Sequence, residues 1–124
     1  PDPTDNLAYG RYLATIGRCG FCHSPRRGQS TEPIPGRLFA GGNEFRGPFG
    51  IRRSSNLTPD PSGLGSTTRE EFIALFRRHA TPERVPPGKN TIMAWSAYAG
   101  MTDADLGALY DYLRTVPPVA SAAG

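Results

Sequence analysis

The sequence predicts an all-α fold in which short helices are joined by long loops. Three segments carry apolar residues at helical spacing. Two of them start with a capping box, in which a threonine and an acidic residue three positions later bond each other's backbone. No segment alternates apolar and polar residues with the period of two that marks a half-buried strand. The length of 124 residues fits one domain, 1–124, whose ordered part we expect at about 5–119.

The first helix is predicted to begin at Asp5 or Asn6, since either residue is a suitable N-cap, and to end near Gly17. Gly10 falls in its middle, where glycine costs about 1 kcal/mol relative to alanine. We therefore expect another helix to approach closely at Gly10. The remaining members of the pattern are Leu7, Tyr9, Tyr12, Leu13 and Ile16.

The two capping boxes place the other helices. Thr68 and Glu71 open a helix that should run to about His79, because three prolines follow closely. Thr102 and Asp105 open the last helix. Their apolar faces consist of Phe72, Ile73, Leu75 and Phe76 in the former and Leu106, Leu109, Tyr110 and Leu113 in the latter.

The sequence Cys19-Gly20-Phe21-Cys22-His23 matches the attachment signature for c-type haem. Three residues make about one helical turn, so both sulfurs can reach the two vinyl groups of one porphyrin, and His23 can ligate the iron from the proximal side. The chain lacks the βαβ context of a thioredoxin-type dithiol, and two cysteines with two histidines make a poor zinc site. A disulfide would close too small a loop to stabilise much. We therefore expect one haem c, covalently held through Cys19 and Cys22.

The composition agrees with a buried porphyrin. Hydrophobic residues make up only 37%, while 15 glycines and 13 prolines are present, so the chain needs an additional apolar body to complete its core. Residues 24–66 are predicted to be irregular loops that wrap the haem. The apolar residues available to face the ring there are Phe39, Phe45, Phe49 and Ile51, and the arginines available to the propionates are Arg37, Arg46, Arg52 and Arg53.

Charge and hydropathy exclude several classes of partner. The formal charge of +3 is too small to predict nucleic-acid binding. No run of 18 apolar residues is present, so no transmembrane segment is expected. The opening residues carry no basic and apolar leader. We expect a processed chain or an excised domain, monomeric and periplasmic, because c-type cytochromes mature outside the cytoplasm.

The second axial ligand decides the chemistry, and three side chains can supply it. Met93 lies in a proline-flanked loop with no helix to support, which favours it. Met101 precedes the N-cap Thr102 and can pack on Leu106 as a hydrophobic staple. His79 ends a helix, where the dipole favours an exposed imidazolium. An open or water-bound iron is the remaining possibility.

The sequence resembles class I cytochromes c, in particular the cytochrome c domains of bacterial periplasmic alcohol, gluconate and aldehyde dehydrogenase cytochrome subunits. The resemblance covers about residues 10–119. Its markers are the haem motif, residues 10–13, 39–42, 48–50, 56–60, 63–65, 71–72, Met93, 101–106 and 113–119. It implies a cytochrome c fold, His23 and Met93 as axial ligands, and close approach of Gly10 to Leu106, Leu109 or Tyr110.

The favoured function is a monohaem electron carrier rather than an enzyme. It would take single electrons from a periplasmic dehydrogenase and pass them toward an oxidase or another cytochrome of the respiratory chain. The alternative is a haem enzyme or gas sensor with an open distal site, and a third possibility is a haem that only holds the fold together. Arginines 26, 27, 46, 52 and 53 are the expected docking rim for the redox partners.

Overall fold

The computed structural model describes residues 2–26, 32–47, 50–78 and 98–121. Within these ranges the chain forms four helices and one antiparallel pair of strands. The helices are α1 (Asn6–Ile16), α2 (Cys19–Cys22), α3 (Arg69–Arg78) and α4 (Asp103–Leu113), and the strands are β1 (Glu44–Gly47) and β2 (Gly50–Arg53). No helix in this described part is both long enough and apolar enough to span a bilayer.

Helix α4 is the centre of the packing, because both α1 and α3 lie against it. Its predicted apolar face is buried as expected, and Leu106 has no exposed surface. In α1, by contrast, Leu13 is buried whereas Leu7 and Ile16 stay about half exposed, at 48% and 59%. The core cluster consists of Ala14, Phe39, Phe72, Phe76, Leu106, Leu109, Tyr110, Leu113 and Val116.

The close approach expected at Gly10 is present where α1 crosses α4. A side chain at Gly10 would overlap the carbonyl of Ala108, and its Cβ would lie 2.8 Å from the Cβ of Tyr112. The partners expected from the resemblance, which were Leu106, Leu109 or Tyr110, are therefore wrong. Those three residues belong to the core cluster, which α1 joins through Ala14, whereas the atoms nearest to Gly10 belong to Ala108 and Tyr112.

The predicted helix starts are confirmed by their side-chain bonds. Asp5 caps α1 by accepting from the Ala8 N–H at 3.3 Å. The Thr68 hydroxyl accepts from the Glu71 N–H at 3.1 Å, and the Glu71 carboxylate accepts from the Thr68 N–H at 3.2 Å. The same reciprocal pair, at 3.0 and 3.1 Å, joins Thr102 and Asp105 at the start of α4.

The β1–β2 hairpin corrects the all-α prediction. Glu44 pairs with Arg53 and Gly47 with Gly50, within the stretch that the sequence analysis assigned to loops. Most of its side chains are exposed, including Ile51 at 50%. A hairpin held by backbone bonds with no buried face leaves no alternation in the sequence. The fold is mostly helical with a small sheet.

The residues after α4 return across the molecule. We call residues 119–121 the strap. The Val119 N–H donates to the Thr58 hydroxyl at 3.1 Å, and the Ser121 N–H donates to the Ser62 hydroxyl at 2.9 Å. The strap thereby joins the C-terminal side of α4 to the loop that precedes α3.

Candidate haem-attachment site

Helix α2 places the two cysteines and the histidine on one turn. It begins after Arg18, which adopts a left-handed conformation (φ 58°), so the chain turns sharply between α1 and α2. The Cys22 N–H donates to the Arg18 carbonyl at 3.1 Å, and the His23 N–H donates to the Cys19 carbonyl at 2.8 Å. Residues three apart share a helix face. Cys19 and Cys22 are both half-buried, with free thiols.

The ring of His23 is oriented by the backbone of Ser55, whose carbonyl oxygen lies 2.7 Å from Nδ1. A carbonyl oxygen can only accept, so in this bond Nδ1 carries the proton and Nε2 keeps its lone pair. The sequence analysis considered the carbonyls of Pro25 and Pro35 for this role, and neither fills it. The Pro25 carbonyl instead accepts from the Ile34 N–H at 2.8 Å.

Gly41 allows the loop that carries Ser55 to pack closely against His23. Its N–H donates to the His23 carbonyl at 2.6 Å, and its φ of +74° suits glycine. A Cβ at Gly41 would lie 2.5 Å from both the carbon and the oxygen of the Ser55 carbonyl. The next residue, Gly42, donates its N–H to the Ser54 carbonyl at 2.7 Å. Two glycines thus bring the segment around residue 55 into contact with the segment around residue 23.

Two aromatic residues pack beside α2. The Tyr98 hydroxyl donates to the Gly17 carbonyl at 2.6 Å and so covers the turn between α1 and α2. Phe39 is buried below Gly20, and its ring meets Tyr112 edge-on with centroids 6.2 Å apart. Phe39 was predicted to face the haem ring. Of the other apolar residues predicted to face the ring, Phe45 is half-buried on β1 and Ile51 is exposed on β2. Phe49 lies outside the described residues.

Burial dominates the electrostatics of the site. It raises the pKa of the Cys19 thiol to about 11, with the Cys22 thiol as a smaller cause. Burial lowers the pKa of His23, partly offset by its bond to the Ser55 carbonyl. The pKa of Tyr98 is raised by burial and by both neighbouring thiols. At neutral pH the site therefore presents protonated Cys19 and a neutral imidazole, the form that binds a metal ion.

The arginines selected from the sequence separate into different places. Arg37 donates to the Ala120 carbonyl of the strap at 2.9 Å. Arg46 and Arg53 lie on the hairpin within 3.1 and 3.8 Å of Glu44. The guanidinium of Arg26 lies 4.3 Å from the ring centroid of Phe21. Arg52 is on β2, and Arg27 lies outside the described residues.

Of the three side chains that the sequence analysis considered as a second iron ligand, only Met101 falls within the described residues. It is half-buried against the core cluster, immediately before the cap of α4, as the hydrophobic staple predicts. Met93 and His79 lie outside the described residues, so their assignment stays a prediction.

The residues present fit a haem. The turn offers two free thiols three residues apart and an imidazole with an available Nε2. In addition, the Asn43 side-chain nitrogen is buried and has no hydrogen-bond partner among the described residues. An unpartnered buried donor costs about 1–3 kcal/mol. A haem propionate is an acceptor that could satisfy it.

Sequence reasoning missed Ser55 and Asn43, and it named Asn56 and Thr58 only as markers of the resemblance. Nothing marks Ser55, because it acts through a carbonyl that every residue has. Asn56 and Thr58 carried a signal, because asparagine is typical of an Asx turn, in which its side chain accepts from the backbone N–H two residues later. That turn is present, with the Thr58 N–H donating to Asn56 Oδ1 at 2.8 Å.

The chain was compared with known proteins, and no family model matches it. It is 35% identical over 125 residues to the cytochrome c subunit of a quinone-type alcohol dehydrogenase from Gluconacetobacter polyoxogenes, which covers 97% of this chain and 24% of the relative. The gluconate 2-dehydrogenase cytochrome c subunit of Pantoea cypripedii is 36% identical over 118 residues, or 91% of this chain and 24% of the relative. The fructose dehydrogenase cytochrome subunit of Gluconobacter japonicus is 33% identical over 118 residues, with coverages of 92% and 22%.

The relatives imply a cytochrome c fold, and the mostly helical structure with a small sheet agrees with it. The chain is a homologue of the cytochrome c subunits of alcohol, gluconate and fructose dehydrogenases. It spans about a quarter of the length of these relatives.

Proposed function

We propose that this chain is a monohaem electron-transfer domain, residues 1–124, that carries single electrons from a periplasmic dehydrogenase toward a respiratory acceptor. Cys19 and Cys22 would hold one haem c covalently, and His23 and Met93 would ligate its iron. When bound, the haem supplies a one-electron redox centre. The domain itself changes no covalent bond of a substrate.

The observation that supports the proposal best is the bond between His23 Nδ1 and the Ser55 carbonyl, at 2.7 Å. It orients the ring at the end of the turn that carries both thiols and leaves Nε2 as the only nitrogen able to ligate. Metal-binding histidines commonly donate their other N–H in this way, which raises the basicity of the ligand. A histidine with only a structural role would not need to lie one residue after two free thiols.

The rest of the chain would exclude water and hold the haem. Phe39 and Tyr98 would shield the haem from water beside α2. The Asn43 amide would donate to a propionate, which explains its burial without a partner among the described residues. The relatives are named as subunits of dehydrogenases, so a dehydrogenase is the proposed electron donor.

An absorption spectrum of the haem-loaded protein tests this proposal. We expect the ferric form of the wild type to show the weak far-red charge-transfer band that methionine gives as a haem ligand. Met93→Ala should lose the band, whereas Met101→Leu, the matched control at the other methionine, should keep it.

Two outcomes would contradict the proposal. Loss of the band in Met101→Leu but not in Met93→Ala would move the ligand to position 101. Rapid binding of carbon monoxide by the reduced wild type would show an open iron, and the haem enzyme or sensor function would then replace the electron carrier.

A further inference from the structure

The Ser55 carbonyl, which orients His23, belongs to the same planar peptide unit as the Asn56 N–H. Its direction therefore depends on how Asn56 is held. On one side this peptide unit is packed against Gly41, where a Cβ would come within 2.7 Å of the Asn56 nitrogen. On the other side, the peptide unit is held in place through the Asn56 side chain, because that residue is only 5% exposed.

Asn56 forms hydrogen bonds through both ends of its side-chain amide, to the strap on one side and to Thr58 on the other. Its Nδ2 lies 2.7 Å from the Val119 carbonyl and 3.0 Å from the Ser121 hydroxyl. Its Oδ1 accepts from the Thr58 hydroxyl at 2.8 Å. Few side chains offer two donors and an acceptor in one plane, so these bonds fix both the position and the plane of Asn56.

Thr58 is fully buried and completes the connection. Its hydroxyl accepts from the Val119 N–H at 3.1 Å and lies 3.2 Å from the Val119 carbonyl. Ser62 holds the end of the strap, because its hydroxyl accepts from the Ser121 N–H at 2.9 Å. Arg37 adds a bond to the Ala120 carbonyl at 2.9 Å. A polar network that is buried and satisfied is rigid.

We propose that Thr58 and Asn56 are positioning residues, through which the strap holds the Ser55 carbonyl against His23 and sets the reduction potential of the haem. A firm bond to Nδ1–H makes the imidazole a stronger donor and favours ferric iron, which lowers the potential. Loosening the strap weakens this bond and raises the potential. The inference rests on the proposed ligation of haem by His23.

Thr58→Val tests the inference in the haem-loaded protein, because valine keeps the shape and removes the hydroxyl. We expect the oxidised-to-reduced ratio at a fixed potential to fall by about threefold, which corresponds to about 28 mV at 59 mV per tenfold change. Proton NMR of the reduced protein should show faster solvent exchange of the His23 Nδ1 proton. Thr58→Ser retains the hydroxyl and should keep both wild-type values.

Ser62→Ala is the second variant, in case Thr58→Val does not fold. It removes an acceptor shared by the Ser121 N–H and by Asn56 Nδ2, which lies 3.2 Å from the Ser62 hydroxyl, at a site seven residues from Ser55. Ser66→Ala, on the exposed end of the same turn, is its matched control. We expect a raised potential and faster Nδ1 proton exchange in Ser62→Ala and neither change in Ser66→Ala.

The results separate the inference from the proposed function. If Ser62→Ala carries haem but keeps the wild-type potential and Nδ1 proton exchange, the strap only stabilises the fold and the inference is overturned, even if the melting temperature falls. If the wild type exported with its maturation machinery carries no covalent haem, the proposed function fails and the inference fails with it.

Discussion

Gly41 and Gly42 are neighbours with the same left-handed conformation, at φ +74° and +81°, but only Gly41 is crowded. Alanine at either position pays about 1–2 kcal/mol for that conformation. At Gly41 the new Cβ would also press on the Ser55 carbonyl, whereas at Gly42 it meets nothing within 4 Å. We expect Gly41→Ala to lose more free energy of unfolding than Gly42→Ala in urea titrations, and only Gly41→Ala to shift the reduction potential. Equal losses would mean that the contact with Ser55 is unimportant.

Asn43 allows a direct test of the propionate contact. If its amide donates to a propionate, Asn43→Asp places a second negative charge there, which favours ferric iron. We expect the midpoint potential to fall by at least about 28 mV, or threefold in the equilibrium ratio. Asn43→Leu, which removes the donor without adding charge, should change the potential less. Identical potentials in Asn43→Asp and the wild type would place the amide away from the haem.

At the level of residues, the candidate attachment site could be selected from the sequence alone, because it depends on residue types and their spacing. Cys19, Cys22 and His23 each have a side chain suited to one task. The orientation of His23 was not predictable, since the bond that fixes it goes to a carbonyl 32 residues away. Such a partner follows only from the path of the backbone, which two positive-φ glycines at 41 and 42 determine.

Helices α1 and α4 meet so closely at Gly10 that alanine should be unfavourable there, even though alanine is about 1 kcal/mol better in a helix. Its Cβ would meet the backbone of Ala108, which cannot move without displacing α4. We expect Gly10→Ala to cost about 1–3 kcal/mol of unfolding free energy.

Gly107 on α4 provides the matched comparison. The three atoms nearest to a Cβ there all belong to the guanidinium group of Arg69, the end of a flexible side chain. We expect Gly107→Ala to lie within about 1 kcal/mol of the wild type, because the helix propensity of alanine offsets the loss of the exposed Arg69–Asp111 pair at 3.5 Å. Thermal unfolding followed by circular dichroism measures both variants. A Gly10→Ala protein as stable as Gly107→Ala would contradict the close crossing.

Helix starts were predicted well because capping boxes are local, and each joins residues three apart. The residues that meet Gly10 were predicted wrongly, because a glycine indicates a close approach but not which residues of the other helix make it. The hairpin was missed for a different reason. Glu44, Arg46 and Arg53 are exposed on it, so burial placed no pattern on the sequence.

At the scale of the whole molecule, the hairpin brings together Arg46, Arg52 and Arg53 with Glu44 as the one acidic residue of these two strands. If this surface lies beside the route of electron transfer, anionic reagents should react faster than cationic ones. We expect oxidation of the reduced protein by hexacyanoferrate(III) to slow as salt rises, since the Debye length falls from about 30 Å at 0.01 M to about 8 Å at 0.15 M. Oxidation by a cationic cobalt complex should accelerate under the same conditions.

Variants show whether the hairpin is responsible. Arg46→Gln combined with Arg52→Gln should flatten the salt dependence with hexacyanoferrate(III), whereas Arg11→Gln on α1 makes the same type of change outside the hairpin. Stopped-flow absorbance records both. The same loss of salt dependence in Arg11→Gln would mean that net charge, and not this surface, guides the reagent.

The crossing of α1 with α4 also determines the order in which the chain can mature. Residues 6–16 pack on residues 103–113, so nearly the whole described chain must be synthesised before α1 gains this partner. The strap, at residues 119–121, closes on the loop around residue 56 later still. Until then, the two thiols of α2 lie on a chain whose helices have not yet packed. If the domain carries haem as proposed, an attachment enzyme would reach Cys19 and Cys22 before they become half-buried, and the haem would be in place when the helices assemble.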